Sequence, residues 1–587
     1  MTRQRRAQAK SPQLALITGQ TTSDDSQSGQ TDPWSLLASS RAIEFIARAA
    51  FLATALYVFS TGLKIYQGSG IWAPAVPLAI ALYVVGAGCL IAAFLLRQPI
   101  SRRAIAGVGI VLVVATLASV AYEIDFGNPT YGTDAMAFAH AGGELLIQGE
   151  NPYAVEGGSL GDVADRFGMP ESFITRTNTG EPVERLVSYP AGHVVAYTIG
   201  VALGFDDLRW LTLMAEVAAL VLIWVVVSPV ARLFVPFALL MEDNLTVFFT
   251  SGGVTDWLWV LPLVITAIFL HRERFGYAGI ALGIACAMKQ QPWFLVPFAL
   301  IWVYQTLSGR ERISRRDGTA AFLTGTGAGF LFLNLPFMVW SFGDWWQGIM
   351  HPLFGDMVPD GQGFALLSSR GLLPIPGQTY TVGLAVFAVL TMWAYARWFD
   401  RLQNLLWVLP AAFLLLSHRS FHSYFIYWVP LALLWLDLRI NGATQRSSTP
   451  VAGTSDASPM TSRSVMVMAL LLVAAVGTAW VLPGSSTPLN VGSVDVNIEN
   501  GMVKSLAVEV TNFTDHVIEP VFEVYWRGQS VPWEASTDDV IPAGGTGQVT
   551  IVPQGPEGIP PTVQEGAGSR HTADFRVRVN ESGSSVY

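Results

Sequence analysis

The chain has 587 residues, of which 51% are hydrophobic and 13% are charged, and its mean hydropathy is +0.43. An ordinary soluble enzyme is excluded, because the apolar residues form stretches of about 17–25 residues, the length that crosses a bilayer. The formal net charge of −9, without a basic tract between aromatics, argues against a nucleic-acid partner. Both cysteines, Cys89 and Cys286, fall in apolar stretches, so neither a disulfide framework nor a cysteine metal site is expected.

The chain begins with a polar segment and continues as a series of apolar ones. Residues 1–40 are first basic and then rich in Ser, Thr and Gln, which predicts a disordered cytoplasmic tail without a signal peptide. A segment broken at Lys289 and Pro292 predicts a hairpin of two short helices over 276–306. With this hairpin the sequence has about thirteen apolar segments. The other predicted spans are 43–66, 71–96, 104–122, 208–231, 234–252, 254–271, 319–341, 377–399, 404–417, 423–439 and 464–483.

Basic residues mark one side of this predicted bundle, and such residues concentrate in cytoplasmic loops. They place the N-terminus and a Ser/Thr-rich linker, 441–463, in the cytoplasm, and an acidic loop, 123–207, outside. The sequence therefore predicts an integral protein of the plasma membrane. The basic residues are Arg97, Arg102, Arg103, Arg272, Arg274, Arg310, Arg312, Arg315 and Arg316.

The last hundred or so residues have a different pattern. Over 485–587 apolar and polar residues alternate, as in Leu506 to Val510, and Gly/Pro clusters separate these runs. Alternation with period two is typical of half-buried strands, and about seven of them predict a small β-sandwich. The predicted fold class is an all-α polytopic membrane domain over 41–440 with a C-terminal soluble β-sandwich outside the cytoplasm.

Candidate functional residues begin in the acidic outer loop. Thr133 is a predicted N-cap, and 134–148 a short amphipathic helix at the membrane interface. Asp134 then lies in the first helical turn, where its carboxylate either faces a cavity or only balances the helix dipole. His140 on the same helix and Tyr153, in Gly-x-Asn-Pro-Tyr, are further candidates.

Later polar groups interrupt apolar segments. Tyr189-Pro190 opens an apolar stretch, 190–204, that we expect to fold back on the outer side. Asp256 follows a Gly-Gly pair at a span mouth. Glu242 and Asp243 lie midway along a predicted span, where charge is costly unless it is functional or partnered. The alternative is a shorter helix with a hydrated acidic pair.

A predicted outer turn near residue 420 combines cations with aromatic residues. Arg419 lies between His418 and His422, and a guanidinium offers a fixed fork of donors to a phosphate. The alternative is an ordinary interfacial belt, to which Arg and Tyr are drawn anyway.

In their order and sidedness, these motifs resemble the lipid-linked-sugar glycosyltransferases of the C superfamily (GT-C). The nearest likeness is to the polyprenol-phosphate-mannose-dependent α-mannosyltransferases of bacteria. It covers roughly 104–440 and departs from the family in two extra preceding spans and in the added β domain. The motifs are Asp134, Gly149 to Tyr153, Tyr189-Pro190, Gly253 to Asp256, and Lys289 with Pro292.

The resemblance implies an activity and a set of roles. A sugar, mannose or another hexose or pentose, would pass from a polyprenyl-phosphate donor to a glycan or glycolipid acceptor, with inversion and with Asp134 as general base. Membrane lipids would be partners, and a divalent cation stays open as cofactor. Roles in binding the donor phosphate or substrate would fall to Lys289, His418, Arg419, His422, Tyr189 and Asp256, with Glu242, Asp243, His140 and Tyr153 as further candidates.

Two other classes of protein compete with the enzyme. A transporter or flippase for lipid-linked glycans predicts inverted repeats, and the sequence has no repeat of fixed period. A non-catalytic membrane scaffold that displays the β domain would be indifferent to Asp134.

Overall fold

The computed structural model describes the helical part of the chain and most of the β domain. The predicted tail, the final predicted span at 464–483, and Glu242 with Asp243 lie outside the described residues. The described residues are 41–68, 75–95, 101–124, 131–155, 160–169, 185–236, 246–308, 314–354, 359–361, 363–369, 375, 377–446, 489–499, 502–513, 517, 520–526, 529–535, 540–553 and 575–581.

Twenty α-helices are described, together with three 3-10 helices at Pro152–Ala154, Gln291–Phe294 and Gln403–Leu405. The α-helices are α1 Arg41–Gly68, α2 Ala75–Leu95, α3 Arg102–Tyr122, α4 Asp134–Gln148, α5 Leu160–Arg166, α6 Ala191–Ala202, α7 Arg209–Val226, α8 Pro229–Arg232, α9 Thr246–Ser251, α10 Trp257–His271, α11 Phe275–Met288, α12 Leu295–Thr306, α13 Arg315–Trp340, α14 Phe342–Phe354, α15 Ala365–Ser369, α16 Gly377–Arg397, α17 Phe399–Leu402, α18 Leu409–Leu414, α19 His422–Ile426 and α20 Trp428–Arg446.

Among the described residues, seven helical segments are long and apolar enough to cross a membrane. Large apolar side chains on them point outward, as on α2, where Phe94 and Leu95 are 70% and 71% exposed. Exposed apolar surface of this extent is what lipid covers. The predicted helical character is therefore confirmed, and the seven segments are candidate membrane spans. The seven segments are Glu44–Tyr66, Val76–Leu95, Arg102–Tyr122, Arg209–Val226, Arg315–Trp340, Thr379–Arg397 and His422–Ile440.

The predicted count of thirteen segments is not confirmed. The predicted span 404–417 is wrong as a continuous helix: α18 has only 6 residues and Pro410 near its start. Proline has no N–H to donate and is favoured in the first turn of a helix, which fits the start of α18 beside Pro410. Of the predicted span 234–252, the described helical part is α9, and of the predicted linker 441–463, the first residues continue α20 to Arg446.

Two short helices form the predicted hairpin around Lys289. Helix α11 has 14 residues and α12 has 12, and the 3-10 turn between them contains Pro292. Helix α11 packs backbone to backbone on α13, since a Cβ on Gly279 or Gly283 would fall on carbonyl oxygens of α13. Small residues permit this close approach of helices in lipid.

Helix α6 lies beside this hairpin and is also short, with 12 residues. A Cβ on Gly192 would lie 2.6 Å from the carbonyl oxygen of Ala287 in α11. The first amide of α6, on Ala191, donates to Asn334 Oδ1 of α13 at 2.8 Å. The stretch 190–204, which we expected to fold back, is thus a helix whose N-terminus contacts α11 of the hairpin and α13.

The C-terminal residues form one antiparallel sheet with the strand order β3-β4-β7-β6-β5-β8. The predicted alternation is confirmed, since Leu506, Val508 and Val510 are buried while Glu509 is exposed. Six strands are described in it, and the predicted sandwich of seven is not confirmed. Two short strands elsewhere, β1 Asp360–Gly361 and β2 Arg419–Ser420, pair in parallel. The sheet strands are β3 Leu489–Glu499, β4 Met502–Asn512, β5 Pro520–Trp526, β6 Gln529–Ala535, β7 Thr546–Pro553 and β8 Phe575–Glu581.

Candidate functional site

A buried ion pair stands at the tip of the hairpin. Lys289 Nζ lies 2.5 Å from Asp256 Oδ1, and the two side chains are 6% and 0% exposed. Trp259, one turn into α10, donates its indole N–H to the same oxygen at 2.8 Å. Asp256 Oδ2 is buried and has no hydrogen-bond partner among the described residues. The carboxylate thus keeps one oxygen for a further donor.

Two tyrosines enclose the Lys289 ammonium group. Its nitrogen lies 5.1 Å from the ring centre of Tyr189 and 5.6 Å from that of Tyr424. Both distances are within the range of cation–π attraction. Burial raises the pKa of the Tyr189 phenol, although the Lys289 ammonium acts in the opposite direction. The Tyr189 phenol therefore stays protonated at neutral pH and can donate a hydrogen bond.

Asp134 lies at the start of α4, and the residues just before it are hydrogen-bonded to the loop that precedes Asp256. Thr133 caps α4 as predicted, and its Oγ1 donates to the carbonyl oxygen of Gly253 at 2.8 Å. The amide of Gly132 donates to the carbonyl of Gly252 at 3.0 Å. Gly253 has a φ of +89°, a conformation that other residues rarely adopt. The acidic loop is thereby fixed to the loop that leads to Asp256.

Asp134 is partly exposed, and its Oδ1 accepts a hydrogen bond from the amide of Ala135 at 2.7 Å. The Tyr424 phenol lies within electrostatic range of Lys289, Asp256, Arg419 and Asp134. Four charged side chains from distant parts of the sequence therefore act electrostatically on one tyrosine. We call Asp134, Asp256, Lys289, Arg419, Tyr189 and Tyr424 the tip cluster.

The turn before α6 is held by two side-chain donors. The Tyr153 hydroxyl donates to the carbonyl oxygen of Tyr189 at 2.6 Å, and Gln290 Nε2 donates to that of Ser188 at 2.9 Å. Tyr153 is itself fully buried. Tyr153 therefore fixes the backbone of Tyr189, and through this contact the motif Gly-x-Asn-Pro-Tyr helps to hold a member of the tip cluster in position.

His140 lies in a different cluster from the one predicted for it. Its Nδ1 is 2.9 Å from the Tyr131 hydroxyl, and its Nε2 is 3.7 Å from Glu144 Oε1. Its ring packs on Phe167 with centroids 4.6 Å apart. Burial lowers the pKa of His140, although Glu144 acts in the opposite direction. His140 is therefore placed as a packed, neutral residue within the acidic loop.

The predicted cationic turn is brought to the tip cluster only in part. Arg419 lies on β2 opposite Asp360, and its guanidinium lies 5.0 Å from the Phe421 ring centre. His422 is exposed at the start of α19. His418 is buried, and burial, with Arg419 acting in the same direction, lowers its pKa to about 4. At neutral pH His418 is therefore an uncharged group beside the Arg419 cation.

Sequence reasoning missed several residues that the structure brings to the cluster. His193 packs against Tyr189 with ring centroids 4.6 Å apart and ring planes tilted by 52°, and its Nε2 is buried without a partner among the described residues. Trp259 and Tyr424 contact the ion pair, as described above. A polar residue one helical turn after Tyr189, inside an apolar stretch, was the available signal for His193.

The sequence patterns also did not indicate Arg209, which stabilises the loops next to the tip cluster. Its fully buried guanidinium donates to the carbonyl oxygens of Ser251 at 2.5 Å and Ile124 at 3.2 Å. Its Nε lies 3.0 Å from Asp207 Oδ1. Because Ser251 directly precedes the loop that holds Thr133, Arg209 fixes the position of Asp134 indirectly.

Among the described residues, no group of three or more His, Cys, Asp or Glu side chains is arranged to hold a metal ion. The chemistry that the tip cluster offers is instead that of a partly exposed carboxylate beside cations and phenols. A carboxylate accepts a proton from a hydroxyl, and guanidinium and ammonium groups stabilise phosphate oxygens.

No family model, no curated protein and no solved structure matches the chain. The geometry of the tip cluster and the motifs in the sequence therefore carry the functional argument.

Proposed function

We propose that the chain is an integral membrane glycosyltransferase of the GT-C type. It would move a sugar from a polyprenyl-phosphate donor to a hydroxyl of a glycan or glycolipid. The observation that supports this best is the tip cluster itself. Its charged members come from four separate segments of the sequence, and Tyr424 lies within electrostatic range of all of them.

The proposed reaction is a single displacement at the anomeric carbon. Asp134 takes the proton of the acceptor hydroxyl while the oxygen of that hydroxyl bonds to the anomeric carbon from the face opposite the phosphate. The bond to the phosphate oxygen breaks, and polyprenyl phosphate leaves with the electron pair. One base suffices for this inversion, unlike the two carboxylates of glycoside hydrolysis.

Two cations, Lys289 and Arg419, lie in the tip cluster, and their surroundings differ. Lys289 already neutralises Asp256 at 2.5 Å, so its charge is balanced before any donor binds. Arg419 offers the donor phosphate a fork of donors that fits phosphate oxygens. The phenols of Tyr189 and Tyr424 supply further hydrogen bonds.

We further infer the sidedness of the protein. Asp256 begins α10, and the basic residues Arg272 and Arg274 follow its end, so the cluster and the basic loop lie at opposite ends of one helix. Basic loops favour the cytoplasm. The reaction then takes place outside, in a plasma membrane, with the N-terminus inside and a sandwich-like β domain outside. Reporter fusions after residues 446 and 489 that were active on the same side would refute this.

The decisive experiment replaces the proposed base. Asp134→Asn keeps the shape of the side chain and removes its basicity, so sugar transfer in proteoliposomes with a polyprenyl-phosphate sugar should fall by about 10²–10⁴-fold. Asp162→Asn is the matched control, because Asp162 also lies in a first helical turn of the outer loop and is exposed. It should keep its activity.

Transfer by Asp134→Asn at the wild-type rate would exclude Asp134 as base and favour a carrier or a scaffold. Arg419→Ala should mainly raise the KM for the lipid donor, since it removes a contact that exists before the reaction begins. An unchanged KM would remove Arg419 from the donor site.

A further inference from the structure

The register of the β-sheet identifies which end of the domain faces the preceding chain. Leu489, the first residue of β3, pairs with Asn512, the last residue of β4. Thr511 pairs in turn with Thr546, the first residue of β7. The start of β3, the end of β4 and the start of β7 therefore share one end of the sheet. We call it the entry end, because the chain enters the domain there.

Large apolar side chains are exposed at the entry end. Phe513 is 67% exposed and Val540 is 58% exposed, and Val517, on the stretch of chain that leads from the entry end to β5, is 59% exposed. The buried amide of Asn512 donates to the carbonyl oxygen of Ile541 at 3.2 Å. That bond joins the neighbour of Phe513 to the neighbour of Val540, so the two exposed side chains come from adjoining loops. We call Phe513, Val517 and Val540 the apolar tip.

The rest of the sheet does not share this character, as far as its side chains are described. The other large apolar side chain exposed there is Val496, at 39%, seven residues along β3 from the entry end. Contiguous exposed apolar groups mark surfaces that are covered by a partner or a membrane. Among the side chains that the structure describes in the sheet, the apolar tip is thus a local feature of the entry end.

The sequence identifies what lies next to the entry end. Residues 464–483 form the last apolar stretch, which is long enough to span a membrane, and residues 484–488 connect it to β3. Five residues reach at most about 20 Å, since an extended chain advances about 3.3–3.6 Å per residue. With 464–483 as a membrane span, as the sequence predicts, this connection keeps the entry end and its apolar tip within about 20 Å of the bilayer surface.

We propose that the apolar tip inserts into the membrane–water interface and holds the β domain against the bilayer surface. The partner is the lipid of the protein's own membrane. Binding is by burial of apolar side chains, as in interfacial helices that enter the headgroup boundary by about 5–10 Å. Basic side chains are absent from the tip, and Asp515 adjoins it in sequence, so anionic lipid is not required.

The test places a nitroxide label on the full-length protein in phosphatidylcholine vesicles. Phe513→Cys and Val540→Cys report on the tip, and Val496→Cys is the matched control on the same sheet. Both native cysteines are buried, and the labelled wild type serves as the blank. We expect the two tip labels to be several-fold less accessible to a water-soluble nickel chelate than the control label, and more accessible to oxygen.

Equal chelate accessibility at all three positions would overturn the proposal. Protection that appears only at high protein-to-lipid ratio would also overturn it, because it would indicate contact between copies. A requirement for anionic lipid would refute the apolar mode of binding. Adding Phe513→Asp should raise the chelate accessibility of the label at residue 540 several-fold, and no change would contradict joint insertion.

Discussion

The buried ion pair between Lys289 and Asp256 gives a quantitative prediction. In Lys289→Met, the carboxylate of Asp256 stays fully buried and keeps one hydrogen bond, from Trp259. Breaking a buried pair by removing one partner costs about 3–5 kcal/mol, because the other charge is left uncompensated. We expect the free energy of unfolding to fall by that amount.

A double variant separates the buried charge from the loss of packing. In Lys289→Met with Asp256→Asn, no charge is left at the site, and the Asn carbonyl still accepts from Trp259. The double variant should therefore be more stable than Lys289→Met alone, since replacing both partners of a buried pair is often close to neutral. The difference from the sum of the single effects measures the coupling.

The assay is reversible unfolding by SDS in mixed micelles, followed by tryptophan fluorescence. Glu44→Gln is the control, because it removes a partly exposed pair with Arg48, whose side chains are 35% and 31% exposed. Such a pair contributes at most about 1 kcal/mol. A loss of less than about 1 kcal/mol in Lys289→Met would refute the reasoning, as would a double variant whose loss equals the sum of both single losses.

Three further predictions concern packing, positioning and pH. Gly283→Ala should destabilise the protein by about 1–3 kcal/mol in the same assay, because its Cβ falls on the backbone of α13; Gly327→Ala, which meets nothing within 4 Å, should not. Tyr153→Phe removes the donor to the Tyr189 carbonyl and should cost about 0.5–1.5 kcal/mol while lowering transfer; unchanged transfer would make Tyr153 purely structural. His418 has a pKa of about 4 in the folded protein against an ordinary 6.5, so unfolding binds a proton at pH values between them. The free energy of unfolding should therefore fall as the pH is lowered from about 6.5 to about 4. His418→Gln should flatten this decline in thermal melts recorded across the same pH range.

Local signals predicted the parts of the fold that depend on neighbouring residues. Thr133 and the helix after it were predicted because an N-cap and its helix are adjacent in sequence. The hairpin was predicted because proline and a charge interrupt an apolar stretch. The predicted span 404–417 failed because apolar composition outweighed the effect of Pro410 on helix formation.

Contacts between distant segments were beyond the sequence. Arg209 donates to a carbonyl 42 residues later and to another 85 residues earlier, and no pattern near Arg209 indicates either. The pairing of Asp256 with Lys289 joins residues 33 apart, on two loops that meet only after α10 and α11 have packed. The sequence predicted which residues are unusual but not that the lysine would be neutralised by the aspartate.

The short hairpin constrains how the protein is made. Helix α11 has 14 residues, so at about 1.5 Å per residue it covers about 21 Å of a hydrocarbon core of about 30 Å. Neither α11 nor α12 covers the hydrocarbon core as a straight helix by itself, so we expect the two to enter a bilayer together. Their seat on α13 exists only after α13 has been synthesised, because the glycine contacts join these helices. During biosynthesis the Lys289 tip therefore reaches Asp256 late, and ribosome-bound chains that stop before α13 should lack a completed site.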